Sequence, residues 1–256
     1  MKIVFSKRYY NSEYAGDPAA SPGRLEGIMK ILSQKEEYQI ISPNPATEED
    51  ILRAHSSRHF HYIKNEKLLF ELSALAGGGA ILAAEEGYNN NPTFAVIRPP
   101  GHHASKESCW GFCYFNNMSI SLLKLFSEDK IKTAFVLDFD LHFGDGNVNI
   151  LSNRDNEFKV KILNPDSSNR ISYLEEINSY METLENIDIF AASAGFDQGI
   201  EDWGHLLYPE DYYELGMLMK KYSEKLCNGR RFALLEGGYN HGVLPKNVDS
   251  FCKGFQ

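Results

Sequence analysis

The sequence predicts an α/β fold on a doubly wound, mainly parallel sheet. Three observations predict it. Short β-branched or aromatic runs alternate with helical patterns along the chain, several runs are almost continuously apolar, and polar, glycine-rich clusters follow four of them. A strand that is apolar on both faces needs cover on both, and helices flanking a parallel sheet supply it. Strand–helix alternation then closes in a right-handed, doubly wound arrangement.

The elements follow in order. Lys2–Ser6 and Tyr38–Ser42 read as strands, and between them Leu25, Ile28, Met29 and Leu32 repeat at helical steps. Thr47-Glu48-Glu49-Asp50 resembles a capping box ahead of Ile51 and Leu52. Leu68, Leu69, Leu72, Leu75 and Ala76 open another helix. Further strands are expected at Phe94–Arg98, Thr133–Asp138, Lys159–Leu163, Asp188–Ser193 and Arg231–Leu235. Tyr212, Leu215, Met219, Tyr222 and Leu226 form one apolar helical stripe. There is no internal repeat, low-complexity tract or Pro/Ser-rich linker, and Asn89-Asn90-Asn91-Pro92 reads as a turn inside the domain. Residues 1–256 are therefore expected to form a single domain.

Composition narrows the function. With 26 basic and 35 acidic residues the net charge is −9, which argues against a nucleic-acid partner. Four cysteines in 256 residues make no disulfide framework. Met1-Lys2-Ile3-Val4-Phe5 is too short and too soon polar for a signal peptide, and the weakly polar run Ala74 to Ala84 falls short of a membrane span. A soluble, cytoplasmic protein with no membrane partner is expected.

The polar clusters carry the chemistry. They are Arg98-Pro99-Pro100-Gly101-His102-His103, Asp138 to Gly146, Ala194-Gly195-Phe196-Asp197 and Glu236-Gly237-Gly238-Tyr239. Ligands of open parallel sheets bind beyond the carboxyl ends of the strands, so these four clusters are expected to converge. Asp140 and His142, two apart on an extended chain, point to one side and can share a divalent ion, with Asp197 from another strand completing an open Asp/His/Asp set. An EF-hand reading fails, because the twelfth position from Asp138 is Asn149 and the segment starts on a strand. A merely solvated acidic turn fits poorly behind an apolar strand. His102 and His103 suit proton transfer, with Asp138 and Asp145 available to set their tautomers; a structural role for one of the two stays open. Tyr239, after two glycines, can donate to an oxyanion, though any Gly-Gly-Tyr turn looks the same. Phe112 serves equally as core packing or as a pocket wall. Cys109 and Cys113 read as inert thiols, and Asn117-Met118-Ser119 as a glycosylation match without consequence.

Taken together, Arg98-Pro-Pro-Gly-His-His-Ala104, Gly111-Phe-Cys-Tyr-Phe-Asn-Asn117, Asp138 to Gly146, Ala194 to Asp197 and Glu236 to Tyr239 resemble, in order, the zinc-dependent deacetylases. That superfamily includes histone deacetylases, acetylpolyamine amidohydrolases and acetoin-utilisation proteins. Pro22–Ile28 is similar to its N-terminal helix motif. The resemblance implies a three-layer α/β/α, arginase/deacetylase-like domain with a roughly eight-stranded sheet. It implies one Zn2+ on Asp140, His142 and Asp197, His103 as general base and then acid, His102 as its electrostatic partner, and the pairs Asp138–His102 and Asp145–His103. Tyr239 would polarise the substrate carbonyl, and Gly111 and Phe112 would line the acyl channel. The substrate implied is an acylated amine, a small molecule or a protein lysine. Some members also bind K+ through Asp138 and carbonyls near Asp140, His142 and Leu163; Ile162 stands where a hydroxyl residue often helps, which counts against it here.

Departures are also visible. Phe143 replaces a frequent second histidine. Leu163 to Asp188 leaves room for one loop and one helix, and His55 to Ala80 lacks the usual loop bearing a substrate-positioning Asp. Shortened rim loops and an open mouth follow, with Trp203 and Leu206-Leu207 as remaining rim; simple packing is the other reading of Trp203. Two further functions compete: an arginase-type two-manganese ureohydrolase, disfavoured by the single donor set, and a non-catalytic acyl-ligand sensor, disfavoured by the full complement of reactive side chains.

Overall fold

A computed structural model describes residues 1–152 and 157–256. Seven strands form one sheet: β1 (Lys2–Val4), β2 (Gln39–Ile41), β3 (Thr93–Ala95), β4 (Thr133–Asp138), β5 (Lys159–Leu163), β6 (Ile189–Ala194) and β7 (Arg231–Leu235). Their order is β2-β1-β3-β7-β6-β4-β5 and every neighbouring pair is parallel. Each falls on a segment whose apolar run marks it as a strand. Among the described residues the sheet has seven strands rather than the roughly eight implied by the resemblance.

The helices are α1 (Glu26–Leu32), α2 (Glu48–Leu52), α3 (Ser57–Lys64), α4 (Lys67–Tyr88), α5 (Asn117–Ser127), α6 (Asp145–Leu151), α7 (Arg170–Glu182), α8 (Pro209–Cys227) and α9 (Leu244–Phe255). One layer is α4 lying on β1, β3 and β7 with α5 beside it; the other is α8 on β6 and β7, packed against α9, which meets α1. The result is a three-layer α/β/α arrangement. The capping box forms at α2: Asp50 N–H donates to Thr47 Oγ1 at 3.1 Å, and Thr47 N–H donates back to the Asp50 carboxylate at 3.1 Å. The Ala74–Ala84 run lies inside α4, whose 22 residues, with a mean hydropathy of 1.5 over an 18-residue stretch, are enough to span a membrane by length and composition. Two thirds of that apolar window is buried inside the molecule, so packing on the sheet accounts for its composition.

Two core residues position the site. Phe139 and Phe196 are fully buried, 5.7 Å apart between ring centroids, and both rings meet Phe251 of α9. Each immediately precedes an acidic residue, Asp140 or Asp197. Neighbouring side chains of an extended segment point to opposite sides, so anchoring each phenyl ring in the core aims the following carboxylate away from it. Leu207 is fully buried and so does not form the rim expected of it, while Leu206 is half-buried against the core. The apolar core removes Leu207 from water, while Trp203 and His205 of that segment are left exposed.

Between α2 and α3, His55 is held as a neutral imidazole. Its Nε2 accepts the Asn116 N–H at 2.8 Å, so Nδ1 carries the proton and donates to the Ser105 carbonyl at 3.0 Å. Burial, helped by neighbouring His59, pushes its pKa down to about 3. Above the unfolded value near 6.5 the group is neutral in both states. As pH falls below that value the unfolded chain gains a proton that the native state refuses, so stability is lost from about pH 6.5 toward pH 3. Denaturant unfolding at pH 7, 6 and 5 should show this loss, and in His55→Gln the slope should be shallower by up to about 1.4 kcal/mol per pH unit. Equal slopes would show that His55 titrates alike in both states.

Candidate active site

The four strands that carry the polar clusters, β3, β7, β6 and β4, are consecutive in the sheet. Their carboxyl ends are therefore separated by single inter-strand steps of about 4.8 Å, and the loops that follow them meet over one edge. The expected convergence has this topological cause.

Asp140, His142 and Asp197 each offer a ligand atom, all within 4.8 Å of one another. His142 Nδ1 lies 3.1 Å from Asp140 Oδ1 and 3.1 Å from Asp197 Oδ2. Both carboxylates are buried. The remaining Asp140 oxygen accepts the Gly237 N–H at 2.8 Å, and Asp197 Oδ1 accepts the Leu141 N–H at 3.1 Å. Asp197 Oδ2 is buried without a well-directed hydrogen bond. Burial and the charge of Asp140 raise the Asp197 pKa, because two adjacent carboxylates out of water resist double ionisation. Hydrogen bonds to Asp140 and Asp197 in turn raise His142 to about 10. The three side chains thus compete for positive charge among themselves. A divalent ion satisfies that demand at both carboxylates, Asp197 Oδ2 included, and the oxygen/nitrogen donor set suits it. The backbone is shaped to this cluster: a Cβ on Gly237 would stand 2.5 Å from Asp140 Oδ2 and 2.7 Å from Asp197 Oδ2.

A second trio, His102, Cys113 and Glu236, also lies close together. Each of its side chains makes a hydrogen bond elsewhere, although Glu236 Oε1 is buried without a partner. Glu236 Oε2 accepts the Gly101 and His102 N–H groups at 2.7 and 3.2 Å, Cys113 Sγ faces the Gly111 carbonyl at 3.4 Å, and His102 Nδ1 faces Asp138. This trio holds the Gly101–His103 turn in place.

Two Asp–His pairs adjoin the metal-ligand set. His102 Nδ1 is 3.3 Å from Asp138 Oδ2, and His103 Nδ1 is 2.7 Å from Asp145 Oδ1. The two imidazole centroids are 4.0 Å apart. Burial disfavours an imidazolium at His102, but the charges of Asp140 and Asp138 outweigh it and raise its pKa. Burial and the nearby His102 lower His103 to about 4. The environments therefore separate a cationic inner imidazole from a neutral outer one, a division that assigns different proton roles to the two rings. Asp138 is fixed further by Asn147, whose Nδ2 donates to Oδ2 at 2.9 Å, while Asp138 Oδ1 is buried without a partner.

Tyr239 closes the other side. Its ring stacks on Trp203 at 4.1 Å and meets Phe112 edge-on at 5.8 Å, with the Arg24 guanidinium 5.4 Å away. Burial and the Asp140 charge raise its pKa, so the hydroxyl keeps its proton. Gly111 and Phe112 both have left-handed backbones, with φ of 58° and 66°. At Phe112 this is unusual for a bulky residue and sets the ring against Tyr239. Phe143 is solvent-exposed. Cys109 and Cys113 are unpaired thiols, and Asn117 is buried with its amide on the Pro99 carbonyl, out of reach of glycosylation.

Residue patterns passed over three contributors. Asp202, buried, accepts the Tyr239 and Asn240 N–H groups, both at 2.8 Å, and so sets the path of the tyrosine loop. Arg24 donates from Nε to the Gly238 carbonyl at 2.8 Å. Trp110 contacts His103 and Asp145. The only signal for Trp110 and Asp202 was adjacency to Gly111 and Trp203; Arg24 lies in the Pro22–Ile28 block.

Fold and site define an α/β protein with one carboxylate–imidazole donor set beside two Asp–His pairs at the carboxyl edge of a parallel sheet. The family model "Histone deacetylase domain" matches residues 18–168. The chain is 29% identical, over 95% of its length and 82% of the relative's, to a protein of Archaeoglobus fulgidus named "Probable deacetylase". It is 23% identical, over 87% of its length and 72% of the relative's, to the "Histone deacetylase-like amidohydrolase" of Pseudomonas aeruginosa. In fold it is similar to the HD domain of HDA15, with a TM-score of 0.84 at 20% identity, covering 99% of this chain and 88% of that one. The chain belongs to the histone deacetylase domain family, within the superfamily that also holds the acetylpolyamine amidohydrolases.

A divalent ion at Asp140, His142 and Asp197 should stabilise the fold. At about 100 times its Kd it adds about 2.7 kcal/mol, or roughly 5–10 °C in melting temperature for a chain of this size. Melting curves with and without Zn2+ measure this, and Asp197→Asn should abolish most of the shift. An equal shift in that variant would place the ion elsewhere.

Proposed function

We propose that the chain is a zinc-dependent amidohydrolase that removes an acetyl or other acyl group from an amine, such as the side chain of a protein lysine or an acylated polyamine. The carrying observation is the convergence of Asp140, His142 and Asp197 with the His102–Asp138 and His103–Asp145 pairs at one sheet edge. The deacetylase names of similar proteins support the reaction class.

The ion, when bound at Asp140, His142 and Asp197, supplies Lewis acidity toward a carbonyl and lowers the pKa of water toward about 7. The chain's own groups do the rest. His103 is neutral, and its Nδ1–H is committed to Asp145, which leaves Nε2 to accept a proton from the attacking water. As the C–N bond breaks, the same nitrogen returns that proton to the departing amine. His102, paired with Asp138, lies where it can stabilise negative charge developing beside it. Tyr239 keeps its hydroxyl protonated and donates to the carbonyl oxygen as it becomes an oxyanion. Gly111, Phe112 and Trp203 line the approach, the two aromatic rings flanking Tyr239. The buried, unpartnered Asp138 Oδ1 is an oxygen that K+ would satisfy.

The approach is short-walled in this reading. The alignment with the Archaeoglobus fulgidus protein runs over 297 positions, more than the 256 residues of this chain, so that relative carries segments without counterparts here. Between β5 and β6 only a loop and α7 intervene. A mouth of this kind admits acyl amines of varied size.

Purified protein assayed on acetyl-lysine peptides and acetylated polyamines should release acetate, stop on chelation and recover with Zn2+. Neither substrate turning over after Zn2+ addition would leave the acyl-ligand sensor as the better reading. Tyr239→Phe should lower kcat by about 10²–10³-fold, as loss of an oxyanion donor does, while metal content stays the same. Unchanged kcat would remove the phenol from the reaction.

A further inference from the structure

The two Asp–His pairs are held in different ways. Asp138 is fully enclosed and Asn147 donates to it. Asp145 is the first residue of α6, and its side chain is 40% exposed. A carboxylate at the mouth is free to rotate and to trade its histidine for water unless another group holds it. Trp110 does so. Its Nε1–H donates to Asp145 Oδ2 at 2.9 Å, the oxygen that His103 leaves unused, while His103 takes Oδ1 at 2.7 Å. The same indole lies on His103, with ring centroids 3.9 Å apart and planes inclined by 32°. One side chain thus fixes both members of the outer pair, although it is itself 55% exposed. An indole so open to water has little to gain from burial there.

We propose that Trp110 is a positioning residue for the His103–Asp145 pair. It supplies at the mouth the orientation that enclosure and Asn147 supply to His102–Asp138. The indole N–H fixes the carboxylate's rotation, which fixes the Nδ1–H tautomer of His103 and the direction of Nε2. The indole face limits water on one side of the imidazole. The catalytic consequence rests on the amidohydrolase reading; the contact itself does not.

Two variants separate donor from face. Trp110→Phe keeps an aromatic face and loses the N–H, and Trp110→Leu loses both. With a small acetylated amine, kcat should fall by about 10-fold in the first and about 100-fold in the second, as misplacement of a reacting group does, with KM changed by less than about threefold. Because Trp110 is exposed, both variants should melt within about 2 °C of the parent. The second readout needs no turnover. The chain has two tryptophans, so a nitrogen-15 spectrum carries two indole N–H signals, and Trp110→Phe identifies the one at this site. Asp145→Asn should move that signal and leave the Trp203 signal in place. Wild-type kcat in both Trp110 variants, or an indole signal indifferent to Asp145→Asn, overturns the proposal while the amidohydrolase reading stands. If the parent hydrolyses no acyl amine yet the signal responds to Asp145→Asn, the amidohydrolase reading falls, and with it the kinetic consequence, while positioning of Asp145 by Trp110 holds.

Discussion

Asp140 and Asp197 are buried side by side, and two bare carboxylates cannot stay ionised there. Moving one such charge out of water costs several kcal/mol even after relaxation. Much of the surrounding structure answers that cost. Backbone N–H groups of Leu141, His142 and Gly237 point at the two carboxylates. The imidazole of His142 sits between them, and Gly237 lacks a side chain because any Cβ would collide with their oxygens. Phe139 and Phe196, locked in the core below, keep both acids aimed at the same place. A divalent ion relieves the same constraint more completely than a proton on His142, because it balances both charges.

A gradient of burial runs outward from this cluster and sorts the two histidines. The inner pair is enclosed by protein and sees the nearest carboxylates, so its imidazole carries charge. The outer pair is further from those carboxylates and pays for burial without enough compensation, so its imidazole stays neutral. Similar residue pairs thereby acquire different proton behaviour from position alone. Tyr239 and Trp203 stand opposite, the Asp202 carboxylate fixing the tyrosine loop and the Trp203 ring meeting that of His142 edge-on at 6.1 Å.

Much of this was legible in the residues because the signals were local. Short β-branched or aromatic runs marked all seven strands, several of them almost continuously apolar, helical spacing marked α1, α4 and α8, and Thr47 to Asp50 marked a cap. The polar clusters stood out because each follows an apolar strand. Less legible were features that depend on what packs against a segment. Leu207 looked like rim and lies in the core, since its neighbours are distant in sequence. The helix opened by Leu68 runs on through Ala74–Ala84 for 22 residues in all, a length obscured by the three glycines in that run, which are weak helix formers. Trp110 and Asp202 carry no motif spacing of their own, and their hydrogen bonds with those of Arg24 span from 35 to 214 positions along the chain.

By itself the sequence determined the alternation of strands and helices, the residue types at each strand end, and the donor types available for a metal and for proton transfer. Those follow from short-range periodicity and from the chemistry of individual side chains. The tertiary structure alone decided that β3, β7, β6 and β4 would be neighbours, and hence that clusters more than a hundred residues apart share one edge. It also decided which histidine is charged, which carboxylate is open to solvent and which aromatic steadies it. Burial and through-space charge set those properties, and neither is written in the spacing of residues along a chain.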